Sequence, residues 1–241
     1  MVSPFELAGD VALVVGAAPG GLGERAARTL GDHGATVVRA DLDGGDPDLL
    51  KVDVTDEASV RALVADVLAR HGRIDVLVNA AGVMLRKAYD ETSLAEFEHV
   101  VRVNLTGSWL LAREVAPAMS SGGRIVNLST VYAERVGPVP ESAYYASKAG
   151  VANVTRALAA ELGPRSITVN CLAPGVFYPT KMTAALGADP ERLRWFADRT
   201  MLGRLGDPDT DFAGPLLLLA SGASSYLTGQ VLYVDGGWSA W

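Results

Sequence analysis

The most constraining stretch of the chain is a five-residue apolar run, Val11-Ala-Leu-Val-Val15, that breaks directly into Gly16-Ala-Ala-Pro-Gly20-Gly21-Leu22-Gly23. A short apolar run bounded by glycines reads as a strand covered on both faces, the situation of a parallel sheet. From Glu24 to His33 the sequence is helical in period and rich in alanine and arginine. Glycine is needed between the two because the chain must turn sharply. A missing Cβ also lets the backbone approach a pyrophosphate, whose charge the helix N-terminus then meets. The next strand, over 35–40, ends on Asp41, twenty residues after Gly21. An acidic side chain at that place accepts hydrogen bonds from an adenosine ribose and repels a 2′-phosphate, which favours NAD over NADP. No basic residue occupies 17–21; Arg39, two positions before Asp41 on the same side of a strand, opposes that preference.

The alternation continues along the chain. Further strands are expected over 49–52, ending at Asp53, over 74–78, closing on Asn79-Ala80-Ala81-Gly82, and over 124–128, 166–172 and 230–234. Helical period covers 56–71, 94–103, 105–116, Tyr144 to Leu162 and 208–220, with a polar, irregular excursion at about 176–204. Seven strands alternating with helices indicate an α/β, doubly wound parallel sheet with helices on both faces. With no repeat or linker composition, 1–241 reads as one domain. Asn104 interrupts a helical stretch where asparagine is unfavourable, so a kink or a special hydrogen bond is expected there.

Tyr144 and Lys148, in Tyr-Tyr-Ala-Ser-Lys, lie four residues apart, so a helix places the phenol and the ammonium on one face. A nearby cation favours phenolate, and the expectation is a tyrosine whose pKa is lowered toward working pH for acid-base work.

Composition excludes several classes. The net charge of −7 has no long single-sign run, which argues against nucleic acid or an anionic membrane as partner. The longest apolar run, near Pro215 to Ala220, is too short to span a bilayer, and the N-terminus has no basic n-region. Cys171 is the single cysteine, so no internal disulfide forms. The expected location is cytoplasmic.

With the glycine loop, the Asn79 tetrapeptide, Asn104, the Tyr144–Lys148 pair, Pro174-Gly175 and the ending Tyr226 to Gly237 all in order, the chain resembles the short-chain dehydrogenase/reductase family over nearly its whole length, Leu7 to Gly237. The resemblance implies a Rossmann fold and an NAD-dependent oxidoreductase that interconverts a secondary alcohol and a ketone. In that reading Tyr144 is the general acid/base, Lys148 lowers its pKa and meets the nicotinamide ribose, and Asn104 holds a water linking Lys148 to solvent. The catalytic serine of the family falls on Thr130, with Ser129 beside it as the competing hydroxyl. Gly16, Gly21, Leu22 and Gly23 form the phosphate cradle, Asp41 binds the adenosine ribose, and Asp53 with Val54 borders the adenine. Asn79, Ala80 and Gly82 line the cleft, and Pro174, Gly175, Val176 and Thr180 meet the carboxamide and phosphate side.

Five positions depart from the family pattern: Val15 for threonine, one extra residue in the glycine loop, Ala80 for a second asparagine, Thr130 for serine, and one extra residue before Thr180. The glycine-loop insertion leaves open whether Gly20 or Gly21 is the second glycine. Substrate choice is expected to lie with Met84 to Tyr89, Val131 to Ser142 and the excursion, where Met182, Leu186, Trp195 and Phe196 are candidates for a lid. The resemblance also implies a small-molecule alcohol or ketone as partner and a homotetramer, which the apolar ending Trp238 to Trp241 suits. The rival readings are a non-catalytic NAD sensor and an NADP-dependent ketoreductase such as a 3-oxoacyl reductase; an epimerase is a further enzymatic alternative.

Overall fold

The computed structural model describes residues 3–42 and 46–240. Seven strands form one parallel sheet: β1 (Val11–Val15), β2 (Thr36–Asp41), β3 (Leu49–Lys51), β4 (Val76–Asn79), β5 (Arg124–Leu128), β6 (Thr168–Pro174) and β7 (Val231–Val234), in the spatial order β3-β2-β1-β4-β5-β6-β7. The order reverses between β1 and β4, so the connections leaving those two strands diverge to opposite sides. The gap they leave at the carboxyl ends is where a doubly wound sheet takes a ligand.

The sheet is covered on both faces. Residues 11, 13 and 15 of β1 face a core built with α2 (Glu57–His71), α4 (Gly107–Val115) and α5 (Ser142–Leu162). Residues 12 and 14 face a second core built with α1 (Leu22–Asp32) and α7 (Ala213–Ala220). Burial on both faces explains why β1 reads as an unbroken apolar run rather than an alternating one. Local signals set the helix ends. Asp56 caps α2 by accepting from the Ala58 amide, and Gly72 ends it in the left-handed region. Ser93 and Glu96 form a capping box at α3 (Leu94–Val101).

Three expected elements differ. The two helical segments around Asn104 are one continuous rod, α3 running into α4 through a π-helical turn over Arg102–Thr106. The excursion is not irregular throughout: Asp189 caps α6 (Pro190–Ala197), with Pro190 at its first position. The helix expected from 208 starts only at Ala213, because Asp207 and Asp211 hold 207–211 in turns. The Asp209 amide donates to Asp207 Oδ1, and the Asp207 amide donates to Asp211 Oδ2.

Candidate active site

A cleft of about 830 Å³ opens along the carboxyl ends of the strands. One end is lined by Asp41, Leu42, Val52, Asp53, Val54, His99 and Val103, and the other by Met84, Arg86, Thr130, Tyr144 and Met182. The glycine loop lies between. A Cβ on Gly16 would overlap the backbone of Ala80 and Ala81, and one on Gly23 would overlap the Gly16 carbonyl. These two glycines therefore let the loop and α1 close directly onto β4. Gly21 is the N-cap of α1, no side chain caps the helix there, and its first amides open on the cleft. This cradle suits a bound pyrophosphate.

The two candidate glycines of the loop differ in conformation and surroundings. Gly20 takes φ +84°, donates its amide to the Glu24 carboxylate at 2.7 Å, and accepts from the Lys181 amide at 2.7 Å. Gly21 has an ordinary extended φ of −95° and, unlike Gly20, lines the cleft. The added residue before Thr180 lies in the segment that meets Gly20, so the two one-residue insertions occupy neighbouring space.

At the Asp41 end, Asp41 Oδ2 accepts from the Ala18 amide and Oδ1 from the Leu42 amide, both at 2.8 Å. Arg39 does not line the cleft; it pairs with Asp46 at 3.0 Å and with Asp48 at 3.8 Å. Asp53 accepts from the Thr55 hydroxyl and amide, which hold its carboxyl below the usual range. Two expected lining residues lie elsewhere. Asn79 is buried behind the wall, its amide nitrogen donating to Ser108 Oγ at 2.6 Å, while Ala80, Ala81 and Gly82 face the cleft. Val176 faces a separate small cavity with Thr200 and Leu205, and Phe177 lines the cleft in its place. Alternation along the extended chain turns one of the two neighbours away.

At the other end, Thr130 and Tyr144 line the cleft together, and the Thr130 hydroxyl, which also accepts from the Tyr132 amide at 3.5 Å, favours the Tyr144 phenolate. Ser129 is committed elsewhere, donating to the Lys148 carbonyl at 2.9 Å. Lys148 Nζ lies 5.9 Å from the Tyr144 ring centroid and donates to the Leu128 carbonyl at 2.7 Å. The expected lowering of the Tyr144 pKa is not found. Burial pushes the phenol up, and the Glu141 carboxylate adds to this, so Tyr144 carries its proton at neutral pH. Burial likewise brings Lys148 down to about 8. Sequence spacing brings the pair together but carries no information on how deeply both are desolvated.

Asn104 is fully buried. Its Oδ1 accepts from the Val83 amide at 2.8 Å, and its Nδ2 donates to the Val83 carbonyl and to Ser147 Oγ, both at 2.9 Å. Its side chain is thus spent on tying the chain beyond β4 to α5, a task sequence alone did not assign to it. Its main-chain carbonyl accepts from the Ser108 hydroxyl. Of the four lid candidates, only Met182 lines the cleft. Leu186 and Phe196 are buried, and Trp195 and Phe196 stack on Trp238 with ring centroids 6.2 and 6.0 Å away. Trp238 is thereby packed within its own chain; Trp241 falls outside the described residues. Arg86 and Glu141 lie in two of the stretches expected to decide substrate choice, but their pairing comes only from the fold; His99, not named from the sequence, and Lys181 likewise gain their places on the cleft through the fold. Among the described residues no cluster of His, Cys, Asp or Glu has the arrangement to hold a metal.

The family described as enoyl-(acyl carrier protein) reductase matches residues 16–239 of this chain. The chain is 39% identical to the 3-oxoacyl-[acyl-carrier-protein] reductase of Thermotoga maritima, over 97% of its own length and 99% of the relative's. It is 33% identical to the 2-dehydro-3-deoxy-D-gluconate 5-dehydrogenase of Dickeya dadantii, over 100% and 99%. Among solved structures, a gluconate 5-dehydrogenase from Burkholderia cenocepacia in complex with NADP and tartrate superposes with a TM-score of 0.91. The sequence identity is 33%, and the match covers 99% of this chain and 98% of that one.

Proposed function

The chain belongs to the short-chain dehydrogenase/reductase family, and from that premise we propose that it is an NAD-dependent oxidoreductase interconverting a secondary alcohol and a ketone, with Tyr144 as general acid/base. The observation that carries this is the meeting of a Thr130–Tyr144 hydroxyl pair with a glycine cradle and Asp41 along one cleft. A bound nicotinamide dinucleotide supplies the hydride donor or acceptor. Gly16, Gly21, Leu22 and Gly23 hold its phosphates, Asp41 its adenosine ribose, Asp53 and Val54 its adenine, and Gly82, Pro174, Gly175 and Thr180 the nicotinamide side.

When the ketone is reduced, Tyr144, protonated at neutral pH, donates to the forming alkoxide while the Thr130 hydroxyl gives a second hydrogen bond to the same oxygen. Lys148 sets a positive charge behind the phenol as it gives up its proton. Asn104 fixes the turn and α5 so that these groups stay aligned. Tyr144→Phe should lower kcat by at least about a hundredfold while NADH still binds; a variant that keeps turnover would remove Tyr144 from the chemistry. A sensor that only binds NAD would keep its function in that variant.

The NADP reading is favoured by the relative solved with NADP. Against it, Arg39 is held by Asp46 and Asp48 and the Asp41 carboxylate faces the ribose end. The substrate is a small alcohol or ketone. A cytoplasmic location goes with the buried free thiol of Cys171. A homotetramer rests on the half-exposed apolar edge strand β7 and on Trp109 at the surface of α4; a stable monomer by light scattering at micromolar concentration would overturn it.

A further inference from the structure

The substrate end of the cleft contains one feature that proton transfer does not use. Arg86 lines the wall beside Tyr144, and its Nε donates to Glu141 Oε1 at 2.7 Å. The two partners are divided by burial: the Glu141 side chain is 3% exposed and that of Arg86 40%. A guanidinium carries five N–H donors in a planar fork. Glu141 takes one of them, and the two terminal nitrogens have no protein partner among the described residues. The charge also reaches the reacting group, since Arg86 acts on both the Tyr144 and Tyr145 phenols. The loops bearing the pair are already joined by backbone, the Lys87 amide donating to the Pro140 carbonyl at 2.9 Å. A salt bridge is therefore not needed to hold them together.

A buried carboxylate that grips the near side of an arginine fixes the direction of its far side. The terminal nitrogens of such a fork match the two oxygens of a carboxylate, and pre-orientation lowers the ordering cost of binding one. A neutral ligand would shed water from those donors without replacing it. We infer that Arg86 is a substrate-recognition residue whose terminal nitrogens bind a carboxylate. The substrate is then a hydroxy acid and its oxo acid, with the carboxylate a few atoms from the carbon that is oxidised. This rests on the dehydrogenase reading and specifies its substrate class.

The test compares kcat/KM for short hydroxy acids with that for their methyl esters, using NAD, in the wild type and in Arg86→Gln, Arg86→Lys and Glu141→Gln. The wild type should prefer acid to ester by on the order of tenfold to a hundredfold, the range of a charge-assisted contact. Arg86→Gln should bring that ratio toward one through the KM of the acid. Arg86→Lys should recover part of it, and Glu141→Gln, which keeps an oxygen acceptor for the Arg86 Nε and so its orientation but removes the counter-charge, should raise it. Equal use of both in the wild type, or an equal fall of both in Arg86→Gln, would assign the pair to loop structure and overturn the inference. Calorimetric titration of succinate, which has no hydroxyl to oxidise, into the NADH-loaded protein gives a readout independent of turnover. Succinate binding that is lost in Arg86→Gln supports the site. Turnover of esters without succinate binding overturns the site and leaves the dehydrogenase reading standing. Failure to bind NADH overturns both.

Discussion

At the scale of single residues, burial outweighs spacing. The i, i+4 pattern identifies Tyr144 and Lys148 as partners, and the structure does put them side by side, yet desolvation raises the phenol and brings the ammonium down to about 8. This has a consequence for stability. Between about pH 8 and the ordinary lysine value of 10.5, the unfolded chain binds more protons at Lys148 than the folded one. Stability at this site therefore rises with pH across that window, and the cost of burying the charge is fully present below it. Lys148→Met should accordingly raise the melting temperature at pH 7, by roughly 2–4 °C for each kcal/mol of cost removed, and the gain should vanish near pH 10.5. A gain that is the same at both pH values would show that Lys148 is not strained by its charge. Thr130 and Ser129 are adjacent hydroxyls that the sequence cannot rank. Their partners do, because Ser129 is used by the Lys148 carbonyl and Thr130 meets the phenol. Thr130→Ala is expected to lower kcat by about tenfold or more and Ser129→Ala by much less, as steady-state kinetics on any accepted alcohol would show. Arg86 and Glu141 lie 55 residues apart, and no local pattern joins them.

At the scale of elements, the strands were legible from apolar runs and the helices from period and caps. The surprises came where side chains capture backbone. Asn104 in a helical stretch announced a disturbance; its form, a π turn locked to Val83 and Ser147, follows from three hydrogen bonds made across the fold. Asn104→Ala removes its bonds to the half-buried Val83 amide and carbonyl and leaves the buried Ser147 hydroxyl without its amide donor, and should cost about 1–3 kcal/mol in denaturant unfolding. A change below about 0.5 kcal/mol would mean that the turn is held by packing alone. The glycine loop gives a matching contrast. Gly20 needs its left-handed φ, so Gly20→Ala should cost about 1–2 kcal/mol. Gly21 has an ordinary φ, and a Cβ there would make only ordinary contacts, the nearest with the Ala18 carbonyl oxygen at 3.6 Å, so Gly21→Ala should leave stability nearly intact and weaken cofactor binding instead. α6 went unread because an eight-residue helix in a charged segment has too short a period to stand out, although Asp189-Pro190 is a start signal.

At the scale of the whole molecule, the strand order is what makes a site. The reversal between β1 and β4 gathers the glycine loop, Asp41, the segment after Asn79 and the start of α5 around one cleft. Alternating strands and helices foretold this arrangement; which side of each loop faces inward did not follow, and Asn79 and Val176 turned out to face away. The cleft's ends differ in charge, with Asp41 and Asp53 at one and Arg86 and Lys148 at the other. The most direct test of this account is a fluorescence titration of the protein with NADH and with NADPH, followed by addition of oxo acids to the tighter complex. The account predicts that NADH binds at least about tenfold more tightly, since a carboxylate at the ribose end opposes a 2′-phosphate, and that an oxo acid oxidises it. Tighter binding of NADPH, or NADH bound firmly and oxidised by no carbonyl compound, would contradict it.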